Sequence, residues 1–276
     1  AATGTATFAD EHGVSHPVVV KITVGDRELK WTRRLQSDES ALVVPRLFAS
    51  DDHLNGYDFG WLVIERLPHG PLGTSWRDGH IPRIAEAIAR FHAATAAYPV
   101  DREPRVEDWD ELLDGVRKNL RDNAIDRKQQ WTVAIKTLQQ RLGDIVEEWR
   151  ARPIEGWVHG DLHIANAMSR TSLESGPVCL IDLAAVRPGH WIADAIYLER
   201  QFWAVPERIK QAKPVRLIAD ARRALDLPVD SGYPKLANIR RALLASTAPR
   251  FLRSEGDPRY LAACLDRLES SLAQLK

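Results

Sequence analysis

The 276-residue chain is poor in several kinds of residue, and each shortage excludes a class of protein. Its only two cysteines, Cys179 and Cys264, cannot form a disulfide framework, which fits a reducing compartment. No apolar run reaches the roughly 18 residues of a membrane span, and no signal-peptide pattern is visible, so the sequence predicts a cytoplasmic protein. Because the formal net charge is zero, the overall charge does not indicate binding to nucleic acid or to an anionic membrane.

What remains is the composition of an ordinary globular protein. Hydrophobic residues make up 44% of the chain and charged residues 28%. The length suffices for one large domain or for two lobes, each with its own apolar core. The first residue is Ala1 and the only methionine is Met168, so the sequence does not show whether its N-terminus is complete. It does not give the oligomeric state either.

The first quarter of the chain has the pattern of β-structure around one helix. β-Branched and apolar runs predict strands, and a short amphipathic stretch after Gly25 predicts a helix over 27–35. The segment 66–73 is rich in proline and glycine and is the clearest linker in the chain, so we predict an N-terminal lobe over 1–67 and a C-terminal lobe over 68–276. The predicted strands cover residues 5–9, 18–22, 42–48 and 61–65.

Beyond the linker, apolar residues recur at the helical period. The pattern predicts helices over most of the segment, with a short strand at 157–158 and a hairpin of strands 167–170 and 178–181. Together the two parts predict an α+β protein with a small antiparallel β-rich N-lobe and a mainly helical C-lobe. The predicted helices cover residues 81–98, 131–149, 193–203, 207–225, 233–253 and 258–275.

The stretch 158–166 carries the strongest functional pattern in the chain. Asp161 and Asn166 stand in the spacing D-x-x-x-x-N, and Asp182 ends an apolar run sixteen residues after Asn166. This arrangement is typical of a kinase catalytic loop and the metal-binding aspartate that follows it. Asp161 would orient the acceptor hydroxyl and take its proton. Asn166 and Asp182 would supply oxygen ligands to Mg²⁺, a hard cation.

Two upstream charged residues fit the same chemistry. Lys21 lies near the end of the strand-like run 18–22, where a lysine is either a solvent-facing charge or the kinase lysine that pairs with the α- and β-phosphates. Glu28 follows in the first turn of the predicted helix, either as a partner of the helix dipole or as the carboxylate that orients Lys21. Glu39 is a weaker candidate for that carboxylate. We also expect the backbone from Glu65 to Leu67, just before the linker, to hydrogen-bond the base of the nucleotide.

Together these residues resemble the aminoglycoside phosphotransferase and choline kinase superfamily, which has a protein-kinase-like fold and acts on small molecules. The resemblance covers roughly residues 5–200 and is most specific around Asp161. It implies Mg²⁺-dependent transfer of the γ-phosphoryl group of ATP or GTP to a hydroxyl of a small molecule, such as a sugar, an amino alcohol or an antibiotic. It also implies that Asp194 anchors the catalytic loop, that His159 is structural, and that His163 either positions a ligand or belongs to the scaffold. The residues that carry the resemblance are 20–22, Glu28 with Leu35, 64–67, 89–93, 159–163 with Asn166, and 181–182 followed by Gly189 and Asp194.

The sequence departs from the family pattern at several points. It contains no G-x-G-x-x-G, so Gly4 and Thr5 alone could form a phosphate-covering loop. We expect that a first strand is missing upstream, either because the start is truncated or because the nucleotide lid is weakly built. Residues 183–185, which follow Asp182, lack the aromatic or acidic residue often found there in the family. Gly189 is followed by a histidine and a tryptophan instead of the commoner small or acidic pair. These departures concern substrate and metal detail more than the type of reaction.

Charge in the C-terminal helices bears on the acceptor. Residues 207–253 contain eleven lysines or arginines and four aspartates or glutamates. Solvated helix faces would explain this excess, but it also favours a neutral or anionic acceptor over a polycation; carboxylates clustered around Asp161 would contradict that hypothesis.

Two other functions are open: a kinase-like module that binds nucleotide without turnover, and a metal-dependent phosphoesterase, because 160–163 also reads as G-D-x-H. The phosphoesterase would need further His and Asp ligands on other loops, gathered around Asp161.

Overall fold

An antiparallel four-stranded sheet forms the N-terminal part of the protein. The computed structural model describes residues 1–36, 43–101, 103–104, 106–154 and 156–275. The strands lie in the order β1-β2-β4-β3, and burial alternates along β4, as expected for a sheet that covers a core with one face. Leu62 and Ile64 point to that core and pack with Val24 and Leu29. The strands are β1 (Ala2–Ala9), β2 (Ser15–Val24), β3 (Leu47–Asp51) and β4 (Gly60–Glu65).

Helix α1 (Asp26–Arg34) belongs to two buried clusters at once. Leu29 packs under the sheet, whereas Trp31 belongs to the large core of the C-terminal part. The ring centroid of Trp31 lies 4.7 Å from that of Trp157 and 5.7 Å from that of Tyr98, both in edge-to-face geometry. Aromatic pairs in this arrangement add stability beyond their buried area. The helix is therefore held by the C-terminal core as well as by the sheet.

The C-terminal part is mainly helical, with two small two-stranded sheets between helices. β5 (Gly156–Val158) pairs with β8 (Arg187–Gly189), and β6 (Ala167–Ser169) pairs with β7 (Val178–Leu180). Within the residues that the structure describes, no helix is long and apolar enough to cross a membrane. The helices are α2 (His80–Ala96), α3 (Trp109–Asp122), α4 (Lys128–Gln139), α5 (Leu142–Ala151), α6 (Ile192–Arg200), α7 (Pro214–Arg223), α8 (Tyr233–Ser246), α9 (Leu252–Glu255) and α10 (Pro258–Gln274).

The predicted α+β class, a β-rich N-lobe followed by a helical C-lobe, is confirmed. The division at residues 67 and 68 stays a prediction.

Several element predictions were wrong in detail, and α3 was not predicted. The single helix over 131–149 is two helices, because the backbone leaves the helical region at Arg141, whose guanidinium donates to the carbonyls of Leu272 and Leu275. The helix expected over 207–225 begins only at Pro214, and the one over 233–253 ends at Ser246. The strand expected over 42–48 begins at Leu47, and residue 42 lies outside the described residues.

Candidate active site

A tight backbone turn carries the catalytic-loop motif. β5 ends at Val158, and Gly160 follows with φ = 81°. A Cβ at this position would meet the carbonyl oxygen of Ala185 and the guanidinium of Arg187. Only glycine combines this left-handed conformation with such close approach at low cost. The glycine thus lets the chain reverse immediately before Asp161.

Asp194 holds the start of the loop. Its Oδ2 accepts the backbone N–H of His159 at 2.9 Å, and its Oδ1 accepts that of Gly160 at 2.9 Å. The Nε2 of His92 lies 3.0 Å from Oδ2, and the Asp194 side chain is fully buried. Burial alone would raise the pKa of Asp194, but the hydrogen bond from His92, the two imidazoles and the backbone N–H of Gly160 together hold the pKa below its usual value. These bonds confirm that Asp194 anchors the loop.

The two histidines around this anchor are buried with it. Burial lowers the pKa of both His92 and His159. His159 lies with its Nε2 3.1 Å from the carbonyl oxygen of Ile181, and its Nδ1 accepts the N–H of Asp161 at 3.4 Å. His159 thus joins the loop to the segment before Asp182, as expected of a structural residue.

Asp161 and Asn166 lie in direct contact. The Nδ2 of Asn166 donates to the Oδ2 of Asp161 at 3.1 Å and to its backbone carbonyl at 3.0 Å. The Nε2 of His163 lies 3.4 Å from Oδ2 of Asp161. One of these hydrogen bonds fixes an oxygen of the carboxylate, while the side chain of Asp161 keeps 30% of its surface exposed. The carboxylate is therefore oriented and still open to a ligand.

The far end of the loop is fixed by Gln201, which follows α6. Its Oε1 accepts the N–H of Ile164 at 2.9 Å, and its Nε2 donates to the carbonyl of Leu162 at 3.2 Å. The same amide therefore bonds on both sides of His163. No local pattern in the sequence indicates this role, because glutamine at the end of a helix is common and has no distinguishing neighbours.

Asp182 lies after β7 in the left-handed backbone region, with φ = 64°. The N–H of Ile181, the preceding residue, donates to the carbonyl of Asn166 at 3.0 Å, so the segments of the two expected metal ligands are hydrogen-bonded to each other. Among the described residues, the Asp182 carboxylate accepts a single long bond, from the N–H of Ala184 at 3.5 Å. A non-glycine residue at positive φ is uncommon and costs about 1 kcal/mol or more, a strain that clusters at functional sites.

Lys21 and Glu28 form an ion pair between β2 and α1. The Nζ of Lys21 lies 2.6 Å from Oε1 of Glu28, and the two side chains are only 18% and 9% exposed. Glu28 therefore occupies the position expected of the carboxylate that orients Lys21. Glu39, the weaker candidate, lies outside the described residues.

A cleft of about 650 Å³ opens between the sheet and the C-terminal part, and both Lys21 and Ile181 line it. Glu65 and Leu67 lie on its wall, and their contact with a nucleotide base stays a prediction. Within the described residues the backbone N–H of Leu67 has no hydrogen-bond partner, so it is available to a ligand. The Glu65 side chain is not available to a ligand, because the Nε of Arg170 lies 2.9 Å from both of its carboxylate oxygens. This ion pair fixes the β6–β7 hairpin to the sheet.

The expectation that Gly4 and Thr5 form a phosphate-covering loop is wrong. Both lie inside β1, where Gly4 pairs with Val20 and Thr5 with Val19. Alternating small and β-branched residues favour a strand there. Their neighbour Thr3 lines the cleft.

This combination of a β-sheet with a paired lysine, a helical lobe and a loop bearing Asp161 and Asn166 defines a phosphotransferase with a kinase-like fold. The chain belongs to the phosphotransferase enzyme family known as APH, whose sequence model matches residues 14–238. A search of curated protein sequences found no match.

Solved structures show the same fold at low sequence identity. An aminoglycoside phosphotransferase from Alicyclobacillus acidocaldarius is 18% identical with a TM-score of 0.56, over 98% of this chain and 89% of that one. A choline/ethanolamine kinase family protein from Mesorhizobium loti is 14% identical with a TM-score of 0.57, over 99% and 88%. A microcompartment-associated aminopropanol kinase is 15% identical with a TM-score of 0.58, over 98% and 90%.

Proposed function

We propose that the protein transfers the γ-phosphoryl group of ATP or GTP to a hydroxyl of a small molecule. The observation that carries this proposal is the oriented carboxylate of Asp161, which Asn166 holds while part of its surface stays open. Phosphoryl transfer needs mainly rigid positioning and charge stabilisation, and the loop supplies the first. In this role Asp161 accepts the proton of the acceptor hydroxyl as the oxygen attacks the γ-phosphorus. A solved spectinomycin phosphotransferase of this fold, 12% identical, was determined bound to AMP, which supports a nucleotide as donor.

The residues of the cleft fit the donor. Lys21 would pair with phosphate oxygens while Glu28 keeps its ammonium in place. The free N–H of Leu67 and the backbone carbonyl of Glu65 would hydrogen-bond the base of the nucleotide. A cleft of about 650 Å³ lies within the range of about 300–1,000 Å³ that holds a small ligand.

The donor atoms also fit Mg²⁺. Both hydrogen bonds of the Asn166 side chain use its Nδ2, which leaves its carbonyl oxygen for a cation. Asp182 offers a half-buried carboxylate with one long backbone bond. Oxygen donors of these two kinds suit Mg²⁺, which would neutralise the phosphates of the bound nucleotide.

The surroundings of Asp161 favour a neutral or anionic acceptor. Burial raises the pKa of Tyr197, and its hydrogen-bonding interaction with Asp161 raises it further. The ring of Tyr197 lies under the guanidinium of Arg200 at 4.6 Å. The acidic side chain next to this pair, Glu255, lies 3.1 Å from Arg200 and is neutralised by it. Glu255 therefore offers little to a polycation, which calls for several free carboxylates.

The phosphoesterase is disfavoured. In the described part of the chain, the only three His, Cys or acidic side chains close enough to share a metal are Asp51, Asp52 and His53, on an exposed turn. The extra ligands of such an enzyme are therefore not gathered around Asp161.

The test is an ADP-release assay over sugars, amino alcohols, aminoglycosides and macrolides with Mg·ATP and Mg·GTP. With any accepted substrate, Asp161→Asn lowers kcat about 10²–10⁴-fold, the usual range for a general base, while the melting temperature stays the same. Asn166→Ala instead raises the Mg²⁺ concentration needed for half-maximal rate. Asp126→Asn, on an exposed turn, is the matched control. Turnover retained in Asp161→Asn contradicts the role of Asp161, and saturable Mg·ATP binding without turnover of any acceptor supports the silent module instead.

A further inference from the structure

A second cavity, of about 420 Å³, lies within the C-terminal helices. It is lined by α6, α7, α8, α10 and the segment between α6 and α7. Its floor is apolar and aromatic, with buried Phe202, Trp203, Val215 and Ala237. Pockets of this size with an apolar lining and a few polar groups are typical sites for small molecules.

The cavity is separate from the proposed phosphotransfer site. Tyr197 and Gln201 are four residues apart on α6 and face the catalytic loop. Glu199 lies two residues from each, about 200° around a helix of 3.6 residues per turn, and it lines the cavity. The cavity and Asp161 thus lie on opposite faces of α6.

Glu199 does not give the cavity a negative charge. Arg241 binds both of its carboxylate oxygens, at 2.8 and 2.6 Å, and the indole N–H of Trp203 donates to one of them at 3.1 Å. Burial would raise the pKa of Glu199, but Arg241, with smaller contributions from Arg267 and Trp203, outweighs burial and lowers it. The carboxylate is thus ionised, satisfied and neutralised.

Further cations surround the same cavity. Arg267, Lys213 and Arg216 line it, and among the described residues neither Arg267 nor Lys213 has a carboxylate within ion-pair distance. Arg267 is half-buried and lies over the ring of Trp203 at 5.7 Å. With Glu199 paired to Arg241, and Arg216 lying 3.7 Å from Asp220, two cations without a carboxylate partner in the described part of the chain, Lys213 and Arg267, remain over an apolar floor.

We propose that this cavity binds a small amphipathic carboxylate. Its aromatic or aliphatic body would displace water from Phe202, Trp203 and Val215, and its carboxylate would meet Lys213 and Arg267. A neutral molecule of the same shape lacks the charge interaction, and a cation is repelled. The proposal is independent of the phosphotransfer activity and is tested by binding alone.

The experiment titrates the full chain with three probes of one shape: 3-phenylpropionate, its amide and 3-phenylpropylamine. Binding is followed by calorimetry and by tryptophan fluorescence, since Trp203 lines the cavity. We expect the acid to bind about tenfold more tightly than the amide, as for one charge-assisted hydrogen bond, and the amine not at all. Lys213→Gln and Arg267→Gln each remove most of the preference for the acid over the amide.

Two variants control the experiment. Lys235→Gln changes a cation of α8 that pairs with Glu148 outside the cavity lining, and it leaves binding unchanged. Ala212→Phe fills the cavity from its half-buried wall and abolishes binding of both acid and amide, with folding checked by circular dichroism. Equal affinity for acid and amide, absence of saturable binding of the acid, or binding that survives Ala212→Phe each overturns the proposal.

Discussion

The Nζ of Lys21 lies 2.6 Å from Oε1 of Glu28, which ties a strand of the sheet to the helix that follows it. Both side chains are largely buried, so this pair is screened little by water. Replacing the carboxylate by an amide keeps the shape and removes the charge that holds the ammonium in place.

We therefore expect Glu28→Gln to lower kcat/KM for the nucleotide about 10–100-fold, since a hydrogen bond between charged groups is worth about 1.5–3 kcal/mol. Steady-state kinetics with the nucleotide varied measures this change. Glu11→Gln, in the exposed turn between β1 and β2, serves as the control. Unchanged kinetics in Glu28→Gln would show that Lys21 needs no partner.

Gln201 holds the catalytic loop on both sides of His163. Gln201→Ala loses both bonds, so we expect kcat to fall about tenfold with little change in nucleotide KM, because small misplacements of a catalytic group are costly. Gln201→Glu keeps the acceptor for the N–H of Ile164 but loses the donor to the carbonyl of Leu162. Its kcat should therefore lie between those of the wild type and Gln201→Ala. If all three proteins share one kcat, the loop holds its shape without this amide.

Asp194 receives three donors in a fully buried position. In Asp194→Asn one oxygen is replaced by an N–H₂ group that faces a donor, so we expect the free energy of unfolding to fall by about 3 kcal/mol. Urea denaturation followed by circular dichroism measures it. Asp220→Asn, whose carboxylate pairs with Arg223 on an exposed face, should change stability by less than about 1 kcal/mol.

Histidine burial makes stability depend on pH. Burial lowers the pKa of His190 to about 4, and Asp230, 3.6 Å away, opposes this only in part. Between pH 6.5 and about 4 the unfolded chain binds a proton that the folded protein does not, so the free energy of unfolding decreases as pH falls through this window. The contribution at pH 4 is on the order of 3 kcal/mol.

Thermal melts of wild type and His190→Gln from pH 8 to pH 4 test this expectation. The variant should show the shallower decline, although not a flat one, because other buried histidines act in the same direction. His12→Gln, on the exposed β1–β2 turn, should follow the wild type. Parallel curves for His190→Gln and wild type would count against a neutral buried His190. The other histidines whose pKa burial lowers are His80, His92 and His159.

The features predicted from sequence are those encoded by short spacings. Lys21 and Glu28 are seven residues apart across one turn, and Asp161 and Asn166 lie in one loop, so their proximity follows from local structure. The bond between Glu65 and Arg170 joins residues 105 apart, and no local pattern announces such a contact.

Helix ends were missed where proline or packing overrode periodicity. Pro214 starts α7 because proline is tolerated in the first helical turn and not in the interior, so the apolar pattern upstream of it does not continue the α-helix. Pro249 likewise follows the end of α8. At Arg141 the cause is tertiary, because its guanidinium caps carbonyls at the end of α10.

Trp31 packs on Trp157, two residues before His159. Its emission should therefore report on the seating of α1 at the base of the loop that carries Asp161. Since Glu28 lies on the same helix, the environment that sets this emission changes whenever α1 tilts to move Glu28 relative to Lys21. A nucleotide that adjusts the ion pair would thus have an intrinsic optical readout at Trp31, three residues along α1 from Glu28, with no added label.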